Sequence, residues 1–217
     1  MTGEGWAAPS VSGLYRVRVG PNRHTPTLLD DVGRGDLIDY ALGLGRPSTE
    51  WQVLTARDAD RARPQSLSGV HGRNAFPWHT DGATALHPPR YVILLCEGTD
   101  GPVEPTELLD LASEPPLVSL LHKVSLRITD AHGRVRYLPA ATRTAYGSVY
   151  RWDTRVAQGH PLARHDEISD ALATAEPTLT VEWHARLAIV FNNGHNLHRR
   201  PAVRVQQHRR LARLYIY

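Results

Sequence analysis

Residues 76–82 read Phe76-Pro77-Trp78-His79-Thr80-Asp81-Gly82 and place a histidine and a carboxylate two positions apart. On an extended chain such side chains point to the same face, so both could bind one metal ion. A third ligand would complete one triangular face of an octahedron and leave the opposite positions open, as in non-haem iron(II) oxygenases. Alone the pair is a weak signal, because ordinary packing produces it more often than a metal site does.

The C-terminal part of the chain supplies candidates for the third ligand and for an anion site. Residues 191–200 contain His195 and His198, and either histidine could complete the set. In the final stretch, strand periodicity places Arg209 and Arg213 on one face. If that face lines a barrel interior, the guanidinium groups need anionic partners, because an unpaired buried charge is very costly. A dicarboxylic cosubstrate would supply one.

In these segments the chain resembles the taurine dioxygenase and clavaminate synthase-like family of iron(II)- and 2-oxoglutarate-dependent oxygenases. His79 and Asp81 match the family's His-x-Asp motif. The family's distal histidine segment is similar to the one around His198, and three neighbouring residues also match it: Asn193, Leu197 and Arg200. The resemblance therefore selects His198 over His195.

Three more residues match positions at which the family binds its cosubstrate. Arg209 follows His198 by 11 positions, which is the spacing of the family's 2-oxoglutarate arginine, and Arg213 matches a second arginine four positions later. Thr106 follows His79 by 27 positions and matches a threonine that hydrogen-bonds 2-oxoglutarate. The resemblance implies the following site: Fe(II) on His79, Asp81 and His198, and 2-oxoglutarate on Thr106, Arg209 and Arg213.

The resemblance also implies a reaction. Oxygen would be used to oxidise a C–H bond of a second substrate while 2-oxoglutarate is converted to succinate and CO2. Hydroxylation is the default outcome, although desaturation, epoxidation and ring formation use the same ligands. Related halogenases have a small residue where Asp81 stands, so halogenation is disfavoured. We expect a small polar metabolite as substrate, such as an amino acid or a biosynthetic intermediate.

Length and composition restrict the class of protein. A chain of 217 residues is long enough for one domain, residues 1–217, that encloses a pocket. The sequence has no run of about 18 apolar residues and no signal-peptide pattern, so we expect a cytoplasmic protein that does not bind membranes. The single cysteine, Cys96, excludes an intrachain disulfide framework and a multi-cysteine zinc site. The oligomeric state is not indicated.

Apolar alternation between turn residues predicts a mainly β protein with a partly helical start. The predicted strands are residues 14–19, 91–96, 124–129, 135–138, 148–152, 179–184, 187–191, 203–205 and 210–217. One or two helices are predicted within 25–44, and short ones at 106–112 and 165–175. Residues 46–73 are predicted to be a loop or lid containing a short strand at 51–54. This pattern suggests a double-stranded β-helix, a cupin-like jelly roll, with flanking helices.

Two other functions fit parts of the sequence. A metal-dependent cupin-like isomerase or dioxygenase that does not use 2-oxoglutarate would keep the metal ligands but would not need Arg209. A nucleic-acid-binding module would use the basic C-terminal residues, which are Arg199, Arg200, Arg204, Arg209, Arg210 and Arg213. These arginines alternate with apolar residues of strand type, and the net charge is only +3, so nucleic acid is not expected as a partner.

Overall fold

The computed structural model describes residues 25–64, 66–129, 132–144, 147–157, 165–204 and 209–217. The strands are β1 Thr27–Leu29, β2 Gln52–Leu54, β3 Phe76–His79, β4 Tyr91–Thr99, β5 Thr106–Asp110, β6 Ser125–Thr129, β7 Val135–Pro139, β8 Ala141–Thr144, β9 Gly147–Tyr150, β10 Leu179–Val181, β11 Ala188–Asn192, β12 Asn196–Arg200 and β13 Arg209–Ile216. The helices are α1 Arg34–Leu44, α2 Leu67–His71, α3 Pro115–Leu121, α4 Thr154–Ala157 and α5 His165–Thr174, with single 3₁₀ turns at Ala59–Arg61 and Leu111–Ser113.

Two antiparallel sheets form the centre of the fold. The first has five strands in the order β1-β11-β4-β13-β2, and the second has four in the order β10-β5-β12-β3. One core cluster contains buried side chains of both sheets, for example Val92 and Phe191 from the first and Leu108 from the second, so the sheets pack against each other. The prediction of a mainly β chain is confirmed.

The central strand β4 is apolar along most of its length because both of its faces are covered. Its even-numbered residues, such as Val92 and Leu94, belong to the core between the sheets. Its odd-numbered residues, such as Ile93 and Leu95, pack in a second cluster that includes Leu37 of α1. Successive strand side chains point to opposite faces. Helix α1 therefore covers the outer surface of the five-stranded sheet, and the inner surface remains available to line a cavity.

Strand β13 has two faces of different chemistry, as the sequence predicted. Ala212, Leu214 and Ile216 are buried in the outer core beneath α1. The intervening side chains, which include Arg209 and Arg213, line a cavity between the sheets. The strand pairs with β4 along its length, with a register shift after Arg210. Pairing with β4 orients both arginines, and Arg213 is also paired with Gln52 of β2 on the other side.

The short helix predicted at 106–112 is wrong. Thr106–Asp110 forms strand β5, which pairs with β10 on one side and β12 on the other, and only Leu111–Ser113 forms a 3₁₀ turn. Local signals favoured a helix because Thr106 follows a proline and resembles an N-cap. The two ladders of hydrogen bonds and the burial of Leu108 and Leu109 outweigh that local preference.

Other predictions have mixed outcomes. The strands predicted from 91 to 191 are present with small shifts at their ends, and helix α5 is confirmed. Within 25–44 the helix begins at Arg34, and Thr27–Leu29 instead pairs as an edge strand with β11. Val203 and Arg204 are not in a strand. The predicted strand at 14–19, like Val205, lies outside the described residues.

The flanking elements complete the structure. Residues 46–73 contain the predicted short strand, β2, together with a 3₁₀ turn and α2. The β6–β7 hairpin and the helices α3 and α5 enclose a third core cluster around the buried Trp152. None of the described helices has the length and hydropathy needed to cross a membrane.

Candidate active site

Pairing of β3 with β12 brings two histidines together. His79 ends β3 and lies directly opposite His198 in the antiparallel register. Directly opposite side chains on one face are close neighbours, and the two imidazole ring centroids are 4.1 Å apart. His195 precedes β12, and its ring lies beside Tyr150, with centroids 5.9 Å apart. The sheet therefore places His198, and not His195, next to His79.

Asp81 follows β3 in a turn that is held from both sides. The side-chain amide of Asn193 accepts a hydrogen bond from the Asp81 backbone N–H at 2.8 Å and donates one to the Asp81 carbonyl at 2.9 Å. At the preceding residue, the Thr80 N–H donates to the Trp152 carbonyl, and the Thr80 hydroxyl accepts from the Trp152 N–H. Gly82 then adopts a φ of +65°, a conformation that favours glycine.

His79, Asp81 and His198 form one buried cluster. Each residue offers one possible metal-ligating atom, and these three atoms lie within 4.8 Å of one another. The His79 Nδ1–H donates to the Pro77 carbonyl at 2.9 Å, which leaves the Nε2 lone pair for the cluster. His198 Nε2 is 3.8 Å from Asp81 Oδ2. Among the described residues, this is the only such group of histidine, cysteine and acidic side chains.

Electrostatics keep these three groups in the protonation states of metal ligands. Burial, with His79 close by, lowers the pKa of His198 to about 3. Burial also lowers the pKa of His79 and outweighs the opposing effect of Asp81. Burial alone would raise the pKa of Asp81, but Arg213 and the two histidines hold it below its usual value. The cluster thus offers two neutral imidazoles and a carboxylate, a set that suits iron(II) with open positions.

A cavity of about 650 Å³ opens onto the cluster. It is large enough for two small molecules, since ligand pockets commonly measure about 300 to 1,000 Å³. All six residues predicted from the sequence line it: His79, Asp81, Thr106, His198, Arg209 and Arg213. The fold therefore brings together residues that are separated by more than 100 positions in the chain.

Arg209 lies in this cavity without a carboxylate partner in the described part of the chain. Its guanidinium donates to the backbone carbonyls of Glu104 and Pro105. Burial, together with nearby Arg200, lowers the pKa of Arg209 to about 10, which means that the surroundings disfavour its charge. A bound carboxylate would compensate this charge through the two-pronged geometry of the guanidinium.

Thr106 also faces the cavity from the beginning of β5. Its hydroxyl accepts a hydrogen bond from the indole N–H of Trp183 at 3.0 Å. A hydroxyl has one hydrogen to donate in addition to its lone pairs. With the indole as donor, the Thr106 O–H can be directed to an anionic ligand.

Arg213 contacts the cluster directly. Its Nη1 donates to both carboxylate oxygens of Asp81, at 2.9 and 3.0 Å, and its Nη2 donates to Gln52 Oε1 at 2.7 Å. The Tyr215 ring lies 4.6 Å from the guanidinium carbon. The sequence predicted an arginine near a cosubstrate, and the structure adds its pairing with Asp81. The contribution of Gln52, on β2, gave no signal in the sequence.

The arginines considered for nucleic-acid binding do not form one exposed surface. Four of them line the cavity: Arg199, Arg200, Arg209 and Arg213. Arg199 is also paired with Glu107, and its guanidinium carbon lies 4.3 Å from the buried Trp78 ring. This arrangement favours a small ligand inside the fold over a polyanion outside it.

No protein-family model matches the sequence, and the search of curated proteins finds no match. Solved structures do match. The chain is similar to an asparagine oxygenase in complex with Fe(II), 3-hydroxyasparagine and succinate, with a TM-score of 0.63, 18% identity, and 91% of this chain and 75% of that chain covered. The chain has the fold of this oxygenase.

Two further structures support the same assignment of fold. A taurine dioxygenase from Burkholderia xenovorans has a TM-score of 0.64 and 16% identity, with 88% of this chain and 76% of that chain covered. PvcB, an Fe, α-ketoglutarate-dependent oxygenase from an isonitrile synthetic pathway, has a TM-score of 0.58 and 16% identity, with coverages of 85% and 71%. The family resemblance inferred from the sequence is thus confirmed at the level of the fold.

Proposed function

We propose that this protein is an iron(II)- and 2-oxoglutarate-dependent dioxygenase. It hydroxylates a C–H bond of a small polar metabolite, with O2 as oxidant and with release of succinate and CO2. One observation carries the proposal: His79, Asp81 and His198 converge in the cavity that also contains Arg209. A cupin-like isomerase that does not use 2-oxoglutarate would have no use for a buried arginine that lacks a carboxylate partner among the described residues.

In this proposal different side chains bind the metal, bind the cosubstrate and orient the metal ligands. His79, Asp81 and His198 hold iron(II), which, once bound, activates oxygen for attack on the substrate. Arg209 binds the distal carboxylate of 2-oxoglutarate, and the Thr106 hydroxyl donates a hydrogen bond to it. Arg213 orients the Asp81 carboxylate and lies close enough to the cluster to contact a second carboxylate there. The walls of the cavity restrict access of water to the reacting groups.

The architecture proposed for this site is a double-stranded β-helix within a single domain, residues 1–217. The order of strands in the two facing sheets supports this reading, because strands distant in the chain alternate as neighbours. Residues 46–73 contribute α2 and β2 beside the cavity and act as its lid. The cytoplasmic location expected from the sequence stays a prediction.

An anaerobic binding experiment tests the function. Iron(II) and 2-oxoglutarate added together to the wild-type protein should produce the weak visible charge-transfer band of a metal-bound 2-oxo acid. Wild-type protein that demonstrably binds iron but shows no band would overturn the cosubstrate assignment. His198→Ala should abolish iron binding, while His195→Ala should retain it because its ring lies beside Tyr150. The opposite result would reassign the third ligand.

A further inference from the structure

The walls of the cavity carry much more positive than negative charge. Seven arginine side chains line it, against one carboxylate, that of Asp81, among the described lining residues. Three of the seven are in ion pairs: Arg155 with Asp153, Arg199 with Glu107, and Arg213 with Asp81. Arg209 is the proposed partner of 2-oxoglutarate. Three arginines are thus left without an assigned anion.

These three are Arg57, Arg63 and Arg200. Within the described ranges no carboxylate forms an ion pair with any of them. Arg57 and Arg63 lie in the segment after β2 and are exposed, so water solvates them at the mouth of the cavity. Arg200 ends β12, two positions after the proposed ligand His198, and is half-buried.

The surroundings of Arg200 fix its side chain but do not neutralise it. Its Nη2 donates to the carbonyls of Gly72 and Asn74, both at 3.1 Å, and its Nη1 donates to the Pro201 carbonyl at 3.1 Å. Its guanidinium carbon lies 4.0 Å from the Phe76 ring centroid. Carbonyl oxygens carry only partial charge, whereas a carboxylate would compensate the guanidinium fully.

Loading the site with metal and cosubstrate does not remove this excess. Iron(II) and the 2-oxoglutarate dianion have equal and opposite charges, so binding both leaves the net charge of the cavity unchanged. A further anion in the cavity is therefore favoured electrostatically, all the more because charges interact strongly where water is excluded. A free ammonium group is disfavoured, since Asp81 is the only carboxylate in the described lining and is already engaged.

We propose that the substrate is a small organic acid without a free amino group, and that Arg200 binds its carboxylate. Arg57 and Arg63 attract the acid at the mouth of the cavity. This inference rests on the proposed function and narrows its substrate class. The cavity volume of about 650 Å³ accommodates such an acid beside 2-oxoglutarate.

Binding of matched acid and amide probes tests the inference. The anaerobic iron(II)–2-oxoglutarate form is titrated calorimetrically with phenylacetate and phenylacetamide, hexanoate and hexanamide, and N-acetylleucine and N-acetylleucinamide. At least one acid should bind about tenfold more tightly than its amide, since charge-assisted hydrogen bonds are the stronger ones. Arg200→Gln should remove that preference, and the double variant Arg57→Gln with Arg63→Gln should reduce it about threefold, because exposed charges are screened.

Arg127→Gln is the matched control, because Arg127 lies on β6 and does not line the cavity; its acid preference should equal that of the wild type. If no acid outbinds its amide by about tenfold in the wild type, or if the wild-type preference is unchanged in Arg200→Gln or in the double variant, the inference is overturned. If Arg200→Gln does not fold, the acid preference of the double variant Arg57→Gln with Arg63→Gln decides the test. Wild-type protein that shows the charge-transfer band but no acid preference refutes only the substrate class. Absence of the band in the wild type refutes the proposed function itself.

Discussion

The side-chain amide of Asn193 spans the backbone of Asp81, accepting from its N–H and donating to its carbonyl. The same amide nitrogen donates to the Pro89 carbonyl at 2.9 Å, and Asn193 is only 1% exposed. The turn between β11 and β12 is thereby joined to the segment that carries the carboxylate of the cluster. Asn193 touches no reacting atom in the proposed reaction, and its role is to position Asp81.

Asn193→Ala should therefore weaken iron(II) binding by about 10- to 100-fold, the usual cost of losing a partner that orients a metal ligand. Asn193→Asp keeps the acceptor but places a buried carboxylate oxygen against the Asp81 and Pro89 carbonyls, so it should not restore the affinity lost in the alanine variant. Metal titrations on folded protein measure the effect.

Asn196→Ala provides the control for a purely structural effect. Asn196 is also a buried asparagine, and its side chain donates to the Asn192 carbonyl at 3.0 Å. Both alanine variants should lower the melting temperature, but only the first should change metal affinity. Equal metal affinities in the two variants would contradict a positioning role for Asn193.

Arg209→Ala should weaken 2-oxoglutarate binding by about 10- to 100-fold, because a charge-assisted, two-pronged contact is lost. Iron(II) binding should be retained, since Arg209 contacts carbonyls of 104 and 105 and not the cluster. Titration of the anaerobic iron form, followed by the charge-transfer band, gives the affinity. Arg210→Ala is the neighbouring control: Arg210 is exposed and pairs with Glu97. An equal loss in both variants would argue against a specific contact at Arg209.

Much of the candidate site could be predicted from the sequence because its residues lie on strands or directly beside them. Alternation on β13 was enough to place Arg209 and Arg213 on one face, and motif spacing selected His198. The contacts made by Asn193 and Gln52 could not be predicted, because they link segments more than 100 residues apart through side chains whose chemical type occurs on any surface.

Local signals failed where long-range pairing decides the structure. Residues 106–110 have a helix-like start, but β5 lies between two partner strands, and neither partner is close in sequence. The same holds for Thr27–Leu29, which pairs with β11 about 160 residues later. Apolar runs that are buried on both faces, such as β4, were identified correctly because their continuous hydrophobicity needs no partner to be recognised.

Helix α1 should stabilise the sheet through one face only. Leu37 is 1% exposed and packs on the outer face of β4, whereas Leu42, on the same helix, is 60% exposed. Leu37→Ala should reduce the free energy of unfolding by about 2 to 5 kcal/mol, because it leaves a cavity in the core. Leu42→Ala makes the same chemical change with an expected effect within about 0.5 kcal/mol. Denaturant unfolding compares the two, and similar losses would contradict the packing of α1 described above.

Acid should destabilise the metal-free protein through its buried histidines. Burial lowers the pKa of His198 to about 3, and it also lowers the pKa of His79, both from the ordinary histidine value of about 6.5. Between pH 6.5 and about pH 3 these histidines bind protons in the unfolded chain but not in the folded one. The free energy of unfolding should therefore fall as the pH drops through this range. Above 6.5 both states are neutral at these positions, and the contribution is constant.

His198→Asn should make this decline shallower, because it removes a buried histidine whose pKa burial lowers to about 3. His87→Asn is the control, since His87 is exposed and outside the cavity. The measurement is denaturant unfolding of chelator-treated protein across this pH range. Saturating iron(II) should oppose the decline near neutral pH, because metal binds the neutral imidazoles of the folded state, and should lose this effect as acid protonates the ligands. A pH slope that is identical in His198→Asn and wild type would show that His198 does not contribute to the acid sensitivity.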